Sequence, residues 1–249
     1  MARAAISGRL TWQLGRVQEL VDETPRCKSL VLDMPEWRGH RAGQHVDVRL
    51  TAEDGYQAQR SYSIASAPEE RRLVLTVERL EDGEVSPYLV DELRAGDELE
   101  LRGPVGGYFV WEPSLGGPLL LIAGGSGVVP LRAMLRHWAA SERSVSARLL
   151  YSSRALEDVI YRSELERLAA DCGAEVELTL TRQWPDDWHG HRGRVNRQLL
   201  EDVAWPPTER PLVYVCGPSA FVETVASTLV ELGHDQRRIR TERFGPTGT

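Results

Sequence analysis

Three stretches of this chain combine glycine, hydroxyl and cationic side chains at spacings suited to holding phosphate. The first, residues 119–130, reads LLLIAGGSGVVP. Its apolar run suits a strand buried on both faces. Gly125, Ser126 and Gly127 then let the backbone turn sharply toward an anion, and the helix expected from Pro130 turns the positive end of its dipole the same way. The spacing is not G-x-G-x-x-G, so a nucleotide pyrophosphate site and a tight strand-to-helix turn without ligand both satisfy this stretch alone. The second stretch is Arg60-Ser61-Tyr62-Ser63. Strand alternation puts Arg60 and Tyr62 on one face and Ser61 and Ser63 on the other. Arginine can grip phosphate bidentately, a tyrosine ring can cover a planar heterocycle, and a serine hydroxyl can bond a ring nitrogen. An ordinary half-exposed strand is the competing reading. The third is Gly83-Glu84-Val85-Ser86-Pro87, where Ser86 suits an N-cap and Pro87 the first helical position. A second anion cradle or a plain capped helix both fit.

The elements that position these residues change character near residue 112. Up to about residue 110 the chain reads as short strands, CKSLVLDM, QHVDVRL, RSYSIAS, RLVLTVERL and DELELRG, broken by turn clusters such as PEWRGHRAG and TAEDGYQ. Many strands with little helix predict an antiparallel β-barrel. The segment EPSLGGP at 112–118 has no periodicity, and the domain boundary is expected there, giving domains 1–112 and 117–249. Beyond it, strands at 119–123, 147–152, 175–180, 212–216 and 239–242 alternate with helices at 130–140, 158–171, 195–203 and 220–232. That pattern predicts an α/β domain with a parallel sheet and helices on both faces. Ligands bind such sheets at the carboxyl ends of the strands, where AGGSG, SSR, TRQ and CGP fall.

Composition narrows the partners. The 249 residues are 41% hydrophobic and carry 37 acidic against 30 basic side chains, a formal charge of −7. The acidic balance argues against general binding of nucleic acid or anionic membrane. Cys27, Cys172 and Cys216 form no C-x-x-C pair, which removes a four-thiolate cluster or zinc ribbon and fits a reducing compartment. His189 and His191 in WHGHRG have metal-like spacing but no third ligand of defined geometry, so a loop with two exposed histidines is expected and no metal site. The N-terminal stretch MARAAISGRLTWQLGRV lacks the apolar core of a secretory signal, and no span is long enough to cross a bilayer. A cytoplasmic protein is expected.

Taken in order, RSYS, DGEVSPYL, GPVGGYF, IAGGSGVVPLRAML, LLYSSR, GHRGRVN, VYVCGP and TERFG resemble the ferredoxin–NADP reductase family of flavoproteins over nearly the whole chain. The resemblance implies an antiparallel Greek-key flavin barrel followed by a nicotinamide-dinucleotide domain, with FAD rather than FMN as the flavin. It implies that Arg60 contacts the flavin pyrophosphate with Ser61 beside it, that Tyr62 packs on the isoalloxazine ring, and that Ser63 bonds near the reactive nitrogen. Gly83, Val85 and Ser86 would complete the phosphate pocket, with Val77 also lining the flavin. Gly125, Ser126 and Gly127 would receive the pyridine-nucleotide pyrophosphate. Cys216, followed by Gly217 and Pro218, would lie beside the nicotinamide, although a small buried core residue satisfies that position too. Glu242 and Phe244 in TERFG would approach the flavin's reactive edge and exposed face.

Ser152, Arg154 and Arg182, at the ends of the second and third α/β strands, and Tyr161, able to stack on adenine, favour NADPH, with NADH left open by the neighbouring Glu157 and Asp158. The expected activity is hydride transfer from NAD(P)H to flavin and electron transfer to a separate acceptor protein. An iron–sulfur protein of an oxygenase system is the acceptor the resemblance implies, since the chain stops at Thr249 without an iron–sulfur domain. Three alternatives stand beside it: a free-flavin reductase, a dihydroorotate dehydrogenase electron-transfer subunit, which would need a late cysteine cluster, and a non-enzymatic flavin-binding sensor or scaffold.

Overall fold

Alternation along the first strands explains a closed antiparallel sheet. The computed structural model describes residues 10–244. Residues 1–9 of the N-terminal stretch and residues 245–249, with the glycine that ends TERFG, lie outside them. β2 (Cys27–Asp33) pairs with β5 (Leu73–Glu78) so that Leu30 stands opposite Leu75 and Ser29 opposite Thr76. The leucines enter the barrel core, and the Ser29 and Thr76 hydroxyls bond each other on the other face at 2.7 Å. β1 (Trp12–Thr24), β3 (His45–Thr51), β4 (Gln57–Ser63) and β6 (Glu98–Val105) complete the order β4-β3-β6-β1-β2-β5, every neighbouring pair antiparallel. An Ile64–Leu75 bridge joins the end of β4 to β5 and closes the barrel. β1 is absent from the strands expected above because only Gly15 and Val17 of its 13 residues are buried, which leaves little apolar signal to read.

The second sheet orders β10-β9-β8-β7-β11-β12, all parallel. Its strands are β7 (Leu119–Gly124), β8 (Ala147–Ser153), β9 (Glu175–Leu180), β10 (His191–Arg192), β11 (Leu212–Pro218) and β12 (Ile239–Phe244). All six residues of β7 are buried. Leu119, Leu121 and Ala123 face α1 (Val128–Ala140) and α2 (Arg162–Cys172), while Leu120 and Ile122 face α3 (Arg197–Val203) and α4 (Ser219–Glu231). Two-sided burial explains why β7 is an unbroken apolar run. The strand order reverses between β7 and β11, and ligands bind doubly wound sheets at such a switch point.

The two sheets share one core cluster. Cys27, Ala42, Ala65, Phe109 and Trp111 from the barrel side pack with α1 and the β7 face of the second sheet. Arg132 of α1 donates to the Ala65 carbonyl at 3.0 Å and to Glu164 of α2 at 2.7 Å, and its guanidinium lies 4.4 Å over the Tyr161 ring. The Tyr161 hydroxyl reaches Thr76 of the barrel. A buried arginine so enclosed is stabilised only if every donor is used, and its bonds tie the relative position of the sheets to one geometry. No helix among the described residues is long and apolar enough to cross a membrane.

Candidate active site

The switch point is built by backbone approach. Gly125 has φ +56°, a conformation glycine adopts freely, and the tight turn Gly125–Gly127 leads into α1 at Val128, two residues earlier than Pro130. At Gly127 any Cβ would fall inside the Cys216 carbonyl of β11, so only glycine lets this turn lie against that strand. Ser126, between the glycines, is half-buried at the mouth of the turn. Phe221, in the first turn of α4, fills the space over Gly124 and Gly217, within 2.9 Å of where either Cβ would sit. Apart from being the one aromatic in that turn, nothing in the sequence marks it. Pro218 is exposed just beyond, at the end of β11.

Three side chains from different parts of the chain converge beside this turn. Register sets Cys216 between Ala123 of β7 and Glu242 of β12. Burial, reinforced by the Glu242 charge, pushes the Cys216 thiol well above its usual range, so it stays protonated. Burial also pushes the Glu242 carboxyl up to about 7, opposed only by the nearby hydroxyl of Ser63, which approaches it from the barrel without coming within hydrogen-bond distance. Ser63 Oγ is buried and has no close hydrogen-bond partner. An unsatisfied buried hydroxyl is costly, and a ligand atom that bonds it removes the cost. His45 stands directly across from Ser63 on β3, with its imidazole pKa lowered by burial. Only the strand register reveals it. Phe244, level with Pro218, packs half-buried at the rim.

At the other end of β4 the two remaining phosphate-type stretches meet. Arg60 extends to the Gly83–Ser86 turn and pairs with Glu84 at 2.6 Å, although 24 residues separate them. Tyr56 donates to the same carboxylate at 2.8 Å. Tyr62 lies half-buried against the barrel core, and burial raises its phenol pKa. Val85 is fully buried beneath the turn. Gly83 sits so close to Ser86 Oγ, 2.7 Å from a would-be Cβ, that a larger residue would push the hydroxyl aside.

Four expectations need correction. Ser61 donates to Asp47 at 2.7 Å, within the Asp47–Arg102 pair, so its hydroxyl belongs to the barrel wall. The Val77 side chain is wholly inside the barrel core and serves packing. Tyr161 is 4% exposed, with its ring under Arg132 and its hydroxyl on Thr76, so it joins the two sheets and has no free face for adenine. Its φ of 63° is uncommon for a bulky residue, and nothing in the sequence announces it. Ser86 accepts from the Leu80 amide at 3.1 Å and caps no helix; the segment continues as a short π-helical turn, Tyr88–Glu92.

At the carboxyl ends of β8 and β9, Ser152 and Ser153 are buried while Arg154 and Arg182 are exposed. The Arg182 amide bonds the Arg154 carbonyl at 2.9 Å, which sets the two residues side by side. Unlike Arg132, Arg148 and Arg162, neither is held by a carboxylate among the described residues. In the WHGHRG loop, His191 Nε2 lies 3.2 Å from Glu177, and Trp188 donates to the His191 carbonyl at 2.9 Å. Trp188 is therefore local packing, and Trp184 lies beneath Arg192.

A barrel with an orphaned hydroxyl, set against the switch point of a doubly wound sheet whose glycine turn admits only backbone, fits a flavin and a nicotinamide dinucleotide held together. The class so defined is a two-domain oxidoreductase. Comparison with known proteins agrees. Family models described as oxidoreductase FAD-binding domain and oxidoreductase NAD-binding domain match residues 16–110 and 121–227. Ferredoxin–NADP reductase B of Sorangium cellulosum is 37% identical, over 82% of this chain and 84% of its own. The glycine betaine monooxygenase reductase subunit of Pseudomonas aeruginosa is 32% identical over 95% of this chain, which spans 66% of that protein's length. Among solved structures, the flavohem-like FAD/NAD-binding domain of nitric oxide dioxygenase from Vibrio cholerae superposes with a TM-score of 0.84 at 28% identity, covering 94% of this chain and 99% of that one. The chain belongs to the ferredoxin–NADP reductase family of FAD- and NAD-binding oxidoreductases.

Proposed function

We propose that this protein is an FAD-dependent NAD(P)H reductase that passes electrons to a separate protein. The observation that carries the reading is the convergence of Ser63, Glu242 and Cys216 beside the Gly125–Gly127 turn, one group from the barrel and the others from the switch point. FAD, when bound, supplies the redox chemistry, taking two electrons from a dihydronicotinamide and releasing them to an acceptor.

Every other task falls to the chain. Arg60 and the Gly83–Ser86 turn hold the flavin diphosphate, and Tyr62 supports the flavin ring. The Ser63 hydroxyl gains its missing hydrogen bond from the flavin edge. Gly125, Ser126 and Gly127 receive the dinucleotide diphosphate at the start of α1. The neutral Cys216 thiol gives the nicotinamide a small, apolar wall, and Gly217 and Pro218 shape its floor. Glu242, with its pKa about 7, holds or yields a proton at its carboxyl in the working pH range. Phe244 covers the exposed side of the cleft. The sheets are held in one geometry through Arg132 and Tyr161, which orients the two rings and keeps water out.

NADPH is the preferred donor in this reading, because Arg154 and Arg182, without carboxylate partners among the described residues, offer cations beside Ser152 where a 2′-phosphate would lie. The acceptor is a redox protein of an oxygenase system, as the Pseudomonas relative's name supports for that protein. The three cysteines are free, in keeping with a cytoplasmic setting. A free-flavin reductase is the second reading, favoured by the ion pair that already occupies Arg60. Steady-state rates separate the two. The reductase reading expects a far higher kcat/KM with a small iron–sulfur protein or cytochrome than with free FMN or FAD, and the reverse order overturns it.

A further inference from the structure

Arg60, the arginine assigned above to the flavin diphosphate, is already engaged. Its guanidinium pairs with Glu84 at 2.6 Å, and Tyr56 donates to the other oxygen of the same carboxylate at 2.8 Å. Arg60 and Tyr56 together favour the charged form of Glu84 and lower its pKa from the ordinary carboxylate value; the Tyr56 hydrogen bond is the larger cause. Glu84 lies in the turn that would carry the phosphate, between Gly83 and Val85. Neighbouring charges run the same way. Glu81 and Asp82 precede Gly83, Glu53 and Asp54 lie in the hairpin before Tyr56, and the nearby Arg79 is taken by Asp91 at 2.7 Å. A phosphate arriving here meets a neutralised arginine within an acidic rim.

We propose that Glu84 is an internal competitor for Arg60 and sets which flavins the protein holds and how tightly. Binding of FAD or FMN exchanges the Glu84–Arg60 pair for a phosphate–Arg60 pair and brings two anions together, whereas riboflavin, without phosphate, leaves the pair intact. Tyr56 strengthens the competitor by fixing the carboxylate in place. The consequence is a flavin that exchanges with the medium more readily than an unopposed arginine would allow. The inference rests on Arg60 as the diphosphate ligand.

The test is equilibrium binding of FAD and of riboflavin to the full chain, read by flavin fluorescence. It compares the natural protein with Glu84→Gln, Glu84→Ala, Tyr56→Phe and Arg60→Ala, each checked for folding by circular dichroism. Both Glu84 variants are expected to bind FAD about three- to fivefold more tightly and riboflavin unchanged, with Tyr56→Phe giving a smaller gain in the same direction. FAD affinity that is unchanged or weaker in both Glu84 variants, while Arg60→Ala weakens it, overturns the competitor and leaves Arg60's role standing. FAD affinity that Arg60→Ala leaves untouched overturns the diphosphate assignment, and the competitor with it.

Discussion

The two ends of the surface proposed to face the flavin solve the same electrostatic problem in opposite ways. At the Arg60 end the charges are exposed and fully partnered: Arg60, Glu84 and Tyr56 form a closed set in contact with water. At the Ser63 end they are buried or half-buried and left open: one buried hydroxyl without a close partner, one half-buried carboxyl with its pKa about 7 and one buried neutral thiol. Exposed partnered charges contribute little to stability and respond to salt. Buried open groups are costly in the empty protein, and their cost is recovered when a ligand bonds them. Affinity is therefore adjusted at one end, while geometry and proton balance are set at the other.

The largest expected effect lies at the buried end. Gly127→Val drives side-chain atoms into the Cys216 carbonyl; it should destabilise the fold by about 2–3 kcal/mol and weaken nicotinamide-dinucleotide binding about a hundredfold, read by thermal unfolding and NADP+ titration. Wild-type values would mean that the turn can move away from β11. Next in size, Arg154→Ala should lower kcat/KM for NADPH about fiftyfold and for NADH by less than about twofold. Equal losses would remove Arg154 from cofactor choice.

Glu242→Gln comes third. The carboxyl binds its proton more tightly in the folded chain, at about 7, than at its ordinary 4.5, so the flavin-free protein should lose stability as pH rises through that window. The glutamine variant should lack that loss and be more stable at pH 8 by about 2 kcal/mol, measured by urea unfolding at several pH values. A parallel pH profile for both proteins would contradict the buried-carboxyl account. The smallest effect belongs to the exposed end: Arg60→Ala should leave the urea-unfolding midpoint essentially where it is in the natural protein, as a solvent-screened surface pair implies. A marked fall in the midpoint would erase the contrast between the two ends.

How far the sequence discloses this arrangement depends on what each residue does locally. β7 was legible because burial on both faces leaves an unbroken apolar run, and the glycines after it mark a turn that the backbone must make. RSYS and the Gly83 turn were legible as phosphate-type pieces, but not their meeting, because the ion pair joining them spans 24 residues and follows from barrel closure. β1 carries no such signal, because only Gly15 and Val17 of its 13 residues are buried. The place of Tyr161 is hidden for a related reason: a tyrosine after a strand-end loop is equally suited to adenine and to a domain junction, and Arg132 and Thr76, which decide the matter, lie far away in the chain. Ser61 and Val77 show that a motif's neighbours need not share its work; one faces Asp47 and the other the barrel core.

The most direct test of the central claim, a nicotinamide and a flavin brought together over Ser63, Glu242 and Cys216, is an anaerobic titration of the flavin-loaded protein with NADPH and separately with NADH, following oxidised-flavin absorbance. Rapid bleaching by NADPH with slow bleaching by NADH is the predicted result. Bleaching by neither would contradict the account and leave a flavin-binding protein without reductase activity.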